Sequence, residues 1–150
     1  MSSKNWKKGR GKLGIFEPLL GQWVANENSP DRMNCRCDRS FSKTLDGKYI
    51  QLKADWDLGN KVYEDLTLFG VNADKTVCFW SFQSDGKQAH GELTDASDIH
   101  EEAVAFVAKM PAGVARQVYW PDEEGGFYWV VQSKTKKGWN QIVHHHYKKA

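Results

Sequence analysis

Apolar and polar residues alternate with a period of two along most of this chain. Ile50, Leu52, Ala54 and Trp56 share one face of a stretch whose other face carries Tyr49, Gln51, Lys53 and Asp55. Val114, Arg116, Val118 and Trp120 form a second such face, and Phe127, Trp129 and Val131 a third. Successive side chains of a strand point to opposite sides, so this period reads as β-structure and not as helix. Turn signals recur about every ten to twelve residues, among them Asn28–Asp31, Asp46-Gly47, Gly59-Asn60, Asp85-Gly86, Asp95–Asp98, Gly125-Gly126 and Lys136–Gly138. Asp-Gly and Gly-Asn pairs suit tight hairpins. Between the turns lie ten stretches of strand character, roughly 21–27, 34–43, 48–57, 62–71, 76–83, 88–94, 102–109, 114–120, 127–134 and 139–148.

So many sequential strands joined by short turns predict an all-β domain, an antiparallel up-and-down barrel of about ten strands, since closure removes the exposed edges that such a chain would otherwise carry. A two-sheet sandwich is the rival arrangement. The one helical candidate is a turn or two around Leu13 to Leu20, limited by Pro18. It hands over to Gly21-Gln22-Trp23. Gly21 allows a sharp turn there, and Trp23 is large enough to plug one end of a barrel. These two are the expected barrel-closing residues.

Composition adds seven Trp, seven Phe and five Tyr in 150 residues, enough to furnish both strands and a ligand pocket. The net charge is only +2. Lys4, Lys7, Lys8, Arg10 and Lys12 all fall within the first twelve residues, where no acid stands, so the remainder is slightly acidic. Residues 1–12 therefore read as a basic, flexible, solvated tail, and 13–150 as the barrel. Basic residues do not interleave with aromatics along a stripe, which disfavours nucleic acid as a partner. No run is long and apolar enough to span a membrane, and the start lacks the apolar core of a secretory signal. With an odd count of three cysteines, a reducing, cytoplasmic location is the expectation.

Candidate chemistry concentrates near the end. Alternation through Trp139–Tyr147 puts Trp139, Gln141, Val143, His145 and Tyr147 on one face, expected to be the inner one, and Asn140, Ile142, His144 and His146 on the other. A strand cannot aim His144, His145 and His146 at one point, so a triple-histidine metal site is disfavoured. Arg116, set among Val114, Val118 and Trp120, must be paired or must meet a ligand, because an isolated buried charge is costly. Arg39 shares a face with Cys37 and Phe41. Arg116, His145 and Tyr147, with Arg39 as a further candidate, are expected to hold an anionic head group. Trp56, Trp80, Trp120 and Trp129 are expected cavity walls. Cys35 and Cys37 share a face, but no second cysteine pair completes a zinc set. No nucleophile elbow, phosphate loop, zinc-protease helix or dinucleotide fingerprint is present.

Leu19-Leu20-Gly21-Gln22-Trp23, the ten-strand meander, Leu45–Ile50, Tyr63–Gly70 and the final Tyr147-Lys148-Lys149 resemble the calycin superfamily. That group includes lipocalins, intracellular fatty-acid-binding proteins and nitrobindin-like haem barrels. The closest likeness is to lipocalin-like bacterial barrels known only as domains of unknown function. The resemblance implies a non-enzymatic container for a small hydrophobic or amphipathic, lipid-like molecule. Fatty-acid-binding relatives hold a carboxylate with arginines and an Arg-x-Tyr on the last strand, where this chain has His145-x-Tyr147. Their helical lid is missing, since only a short turn separates the first two strands here. Nitrobindin-like relatives imply the alternative of haem and peroxynitrite chemistry. The matching ligand position holds Ile142, so His144 or His145 would have to substitute. The last alternative is a structural barrel that forms a homodimer through the face of Tyr128, Val130 and Gln132.

Overall fold

A computed structural model of the chain describes residues 6–29 and 32–150. A 3-10 helix, Lys12–Leu19, precedes ten strands: β1 Gly21–Ser29, β2 Arg32–Thr44, β3 Tyr49–Asp57, β4 Val62–Val71, β5 Val77–Gln83, β6 Gln88–Thr94, β7 Val104–Met110, β8 Gly113–Pro121, β9 Phe127–Thr135 and β10 Gly138–Lys149. Each pairs antiparallel with its sequence neighbour, and β10 pairs with β1, so the sheet closes as the alternation and turn spacing predict. The sandwich is excluded. The turn expected at Asn28–Asp31 falls partly on Pro30 and Asp31, outside the described residues, as do residues 1–5 of the tail.

A meander places successive turns at alternate ends of the cylinder. The 3-10 helix closes one end. Phe16, fully buried, packs 4.5 Å from the Phe69 ring and 5.9 Å from that of Phe106. The Trp23 indole donates to the Leu19 carbonyl at 2.7 Å and so ties the last turn of the helix to β1. Gly21 makes the corner with φ 125°, a left-handed conformation that a residue with a Cβ rarely adopts. Gly21 and Trp23 thus stand at the closed end. The described part of the basic tail lies back on the protein: Trp6 packs against the core, its amide donates to Glu102 at 3.0 Å, and the Gly9 amide donates to the Gly14 carbonyl at 2.9 Å.

The interior is continuous from Phe16 and Leu19 through Phe41, Ile50, Leu52 and Phe69 to Trp56, Trp129 and Tyr147. A second, smaller cluster lies outside the barrel. Ala96, Ile99 and Ala103, from the connection between β6 and β7, pack with Ala105, Val118, Val130 and Trp120. That segment covers the outer surface of β7, β8 and β9. Val130, expected on a dimer face, is fully buried beneath it.

Candidate functional site

The inward-facing rows follow from strand register. Trp23 pairs with Arg39, Arg39 with Ala54, and Ala54 with Asp65; directly opposed residues share a face. Trp23 and Ala54 belong to the interior cluster, so Arg39 and Asp65 also point inside. Tyr119 pairs with Trp129, and Trp129 with His145, which brings a second group inward from β8, β9 and β10.

These residues meet beside a cavity of about 880 Å³ at the end of the barrel opposite the 3-10 helix. Arg39 is the centre of the arrangement and is 4% exposed. Its Nε donates to the Tyr147 hydroxyl at 2.9 Å and its Nη1 to the Tyr119 hydroxyl at 2.8 Å. The guanidinium carbon lies 4.0 Å from the centre of the Trp129 ring and 5.6 Å from that of Trp56. Rings stabilise a cation through their negative faces. Among the described residues no carboxylate comes within 4 Å of this guanidinium, and its Nη2 donates to no oxygen. Tyr119 passes the network on: its hydroxyl donates to Gln117 Oε1 at 3.5 Å, and the same oxygen accepts from Trp129 Nε1 at 3.2 Å.

Burial would lower the affinity of Arg39 for its proton, but Tyr147, Tyr119, Cys37 and Asp65 together outweigh it and hold the group well above the ordinary value. It is a permanent cation. Asp65 is the nearest acid by its effect on Arg39. Burial pushes its carboxyl above the usual range, while Arg39 and the Trp56 indole, which donates to Oδ2 at 3.0 Å, pull it back in part. Tyr63, stacked 5.6 Å from Trp56, is pushed up to about 12, by burial first and then by Asp65. Burial likewise raises the Cys37 thiol and the Tyr119 and Tyr147 hydroxyls.

Of the expected site residues, the structure brings together Arg39, Trp56, Trp129, His145 and Tyr147. His145 is 9% exposed, with its ring 5.4 Å from Trp56 and 5.7 Å from Trp129. Arg116 is a correction. It sits on the outer face with Val118, and Asp98 grips it, Oδ2 to Nη2 at 2.6 Å and Oδ1 to Nη1 at 3.2 Å. Gln132 accepts from its Nε at 2.6 Å, and the Trp139 ring lies 4.5 Å away. Although Arg116 adjoins the cavity's edge, its guanidinium is fully engaged outside and does not converge with His145 and Tyr147.

Trp80 and Trp120 are corrections too. Trp80 alternates with inward Phe79 and stacks outside on His90 at 5.5 Å. Trp120 alternates with inward Tyr119 and stacks on Tyr128 and His144. The expected inner face of β10 also breaks. A bulge between Gln141 and Val143 shifts the register, so that Trp139 and Gln141 pair with the outer Lys134 and Gln132, while Val143, His145 and Tyr147 face inward. His144 and His146 point outward. His146 Nε2 lies 2.6 Å from Asp122 Oδ2, and among the described residues no three His, Cys, Asp or Glu side chains gather as a metal site.

Sequence reasoning missed Asp65, Tyr119 and Gln117. Tyr119 and Gln117 do alternate on one face of β8, but that face looked no more apolar than its opposite. Among the described residues no helix is long and apolar enough to cross a membrane. In comparison with known proteins, the chain matches no family model and no curated sequence.

Proposed function

We propose that the barrel binds a small amphipathic molecule with an anionic group, holding that group at Arg39. The observation that carries this reading is a buried cation at the cavity whose direct partners are neutral hydroxyls and aromatic rings. A buried charge ordinarily has a carboxylate against it, because desolvation is otherwise uncompensated. Among the described residues Arg39 has no carboxylate in hydrogen-bond range, and a ligand carboxylate would meet it through the remaining guanidinium nitrogen. The apolar wall of Leu52, Trp56, Phe79, Phe106, Trp129 and Val131 suits an alkyl or ring body. We read the cavity as a container for this ligand. It sits comfortably with the calycin likeness, which is part of the proposal.

The test compares dodecanoate with dodecanol by titration calorimetry. In Arg39→Met the affinity for dodecanoate falls about 30- to 100-fold, the worth of a charge-assisted hydrogen bond, while dodecanol is nearly unaffected. Equal loss for both, with the thermal melt unchanged, defeats the anchor. A second reading is haem held by His145, favoured by that ring lining the cavity. Haem when bound would supply an iron centre, and His145 would orient it. An absorption titration with haemin decides: a Soret band lost in His145→Ala and kept in His144→Ala supports it, and an unchanged spectrum removes it.

A further inference from the structure

One wall of the cavity is polar along a whole cross-strand ladder. On β4 and β5, Asp65 pairs with Gln83 and Thr67 with Ser81, and all four side chains line the cavity. Their inward direction follows from two core residues: Phe79 stands two and four places before Ser81 and Gln83 on β5, and Phe69 two and four places after Thr67 and Asp65 on β4. Thr67 is 5% exposed, yet among the described residues its hydroxyl makes no hydrogen bond, and neither do the side chains of Ser81 and Gln83. Asp65 uses one oxygen, for the Trp56 indole. The ladder adjoins the anion anchor: Arg39, Ala54, Asp65 and Gln83 follow one another across β2 to β5, so that only the small Ala54 stands between Arg39 and Asp65 in that row.

A wall of this kind is costly for a container of plain hydrocarbon. Polar groups that face water in the empty cavity lose it when an alkyl chain fills the space, and nothing replaces those hydrogen bonds. A ligand with hydroxyl or other donor groups along one side, and an apolar opposite side, would satisfy Thr67, Ser81, Gln83 and the free Asp65 oxygen while stacking on Trp56 and Trp129. We propose that the ligand class is a hydroxylated amphipathic acid: its carboxylate meets Arg39 and its hydroxyls meet the Asp65–Gln83 and Thr67–Ser81 ladder. This rests on the anion anchor proposed above and specifies what that anchor holds.

Octadecanoic acid and its vicinal dihydroxy derivative share one chain and one carboxylate, so they isolate the ladder. Calorimetry with the full chain gives the dihydroxy acid an advantage of about tenfold or more, since a site built for hydroxyls rejects an analogue that leaves them unmet. In Thr67→Val with Ser81→Ala the advantage shrinks to about twofold, and the plain acid binds as well as before or better. Ser81→Ala alone, at a less buried position, gives an intermediate value and serves if the double variant melts early. Equal binding of the two acids to the unaltered chain overturns the ladder, as does an advantage that survives both substitutions. Those results leave the anchor standing if both acids still weaken in Arg39→Met. If neither acid binds, the ladder and the anchor fall together.

Discussion

Two arginines in this barrel are equally buried, at 4% exposure each, and do opposite things. Arg116 lies on the outer face of β8, under the segment between β6 and β7. Asp98 meets it with both oxygens, Gln132 takes its Nε, and Trp139 covers it. Its charge is matched from within the chain, and its work is to hold that segment on the barrel. Arg39 lies inside, where two tyrosine hydroxyls and a set of ring faces surround it but no described carboxylate touches it. Burial of a cation is therefore a poor marker of a ligand anchor. The marker is burial without a matching acid, next to space.

The largest effect that sharpens this contrast is on binding. Arg39→Met lowers the affinity for an anionic amphiphile about 30- to 100-fold, and Arg116→Met changes it less than about twofold, read by calorimetry with dodecanoate. A loss of similar size in Arg116→Met would erase the distinction between the two sites.

Stability reverses the order. Asp98→Ala leaves Arg116 without its acid and costs about 1–2 kcal/mol in urea unfolding, less than a fully buried pair because the Asp98 side chain is 59% exposed and screened by solvent. The Arg116 hydrogen bonds hold the Asp98 carboxyl below the usual range, with burial acting weakly the other way. A depressed folded value means that the stabilisation is complete above the unfolded value, about 4, and is lost as pH falls through the lower folded value. Unfolding curves of the unaltered chain and Asp98→Ala should thus converge in acid. Curves that stay parallel down to pH 2 would show that the carboxylate charge is irrelevant.

Inside the barrel the pH dependence has the opposite sign. Asp65, raised chiefly by burial, faces Arg39 from β2, with Lys53 and Asp55 on β3 acting weakly. As pH falls through the raised Asp65 value, its charge disappears and an anion at Arg39 loses a repelling neighbour. Affinity for dodecanoate, while the ligand itself stays ionised, rises several-fold over that range, and Asp65→Asn binds at the higher affinity throughout. An unaltered pH profile in Asp65→Asn would place the carboxyl outside the field of the bound anion.

The cylinder was legible in the chain because alternation and turns are local signals. The inner faces of β3 and β9 were legible too: Tyr49, Gln51 and Lys53 oppose Ile50, Leu52 and Ala54 in β3, and the bulky Phe127, Trp129 and Val131 run together in β9. On β8 the same rule failed for a physical reason. The segment carrying Ala96, Ile99 and Ala103 buries the outer face, so Val118 is as well packed as Tyr119 and polarity no longer separates inside from outside. On β10 a single bulged residue changed the parity, moving Trp139 and Gln141 outward while His145 and Tyr147 kept their inward place. Neither a distant covering segment nor a bulge leaves a mark in the period of the strand it affects. Arg39 was readable as a candidate from Cys37 and Phe41 beside it, but its lack of an acidic partner is a property of three dimensions.

The smallest effect concerns the rings over the two cations. Trp139 lies 4.5 Å from the Arg116 guanidinium and Trp129 lies 4.0 Å from that of Arg39. Around Arg116 the ring adds to a charge already neutralised, at a half-exposed position, so Trp139→Leu costs about 0.5–1 kcal/mol of stability. Ligand affinity is unchanged. Around Arg39 the ring stands in for an absent acid and also forms cavity wall. Trp129→Leu therefore weakens dodecanoate and dodecanol together, through lost wall, and dodecanoate by a further few-fold, through poorer positioning of the cation. If Trp129→Leu instead strengthens dodecanoate, the indole competes with the ligand for the guanidinium and does not present it. The cage around Arg39 would then be a way of satisfying the charge in the empty barrel, displaced when an anion arrives.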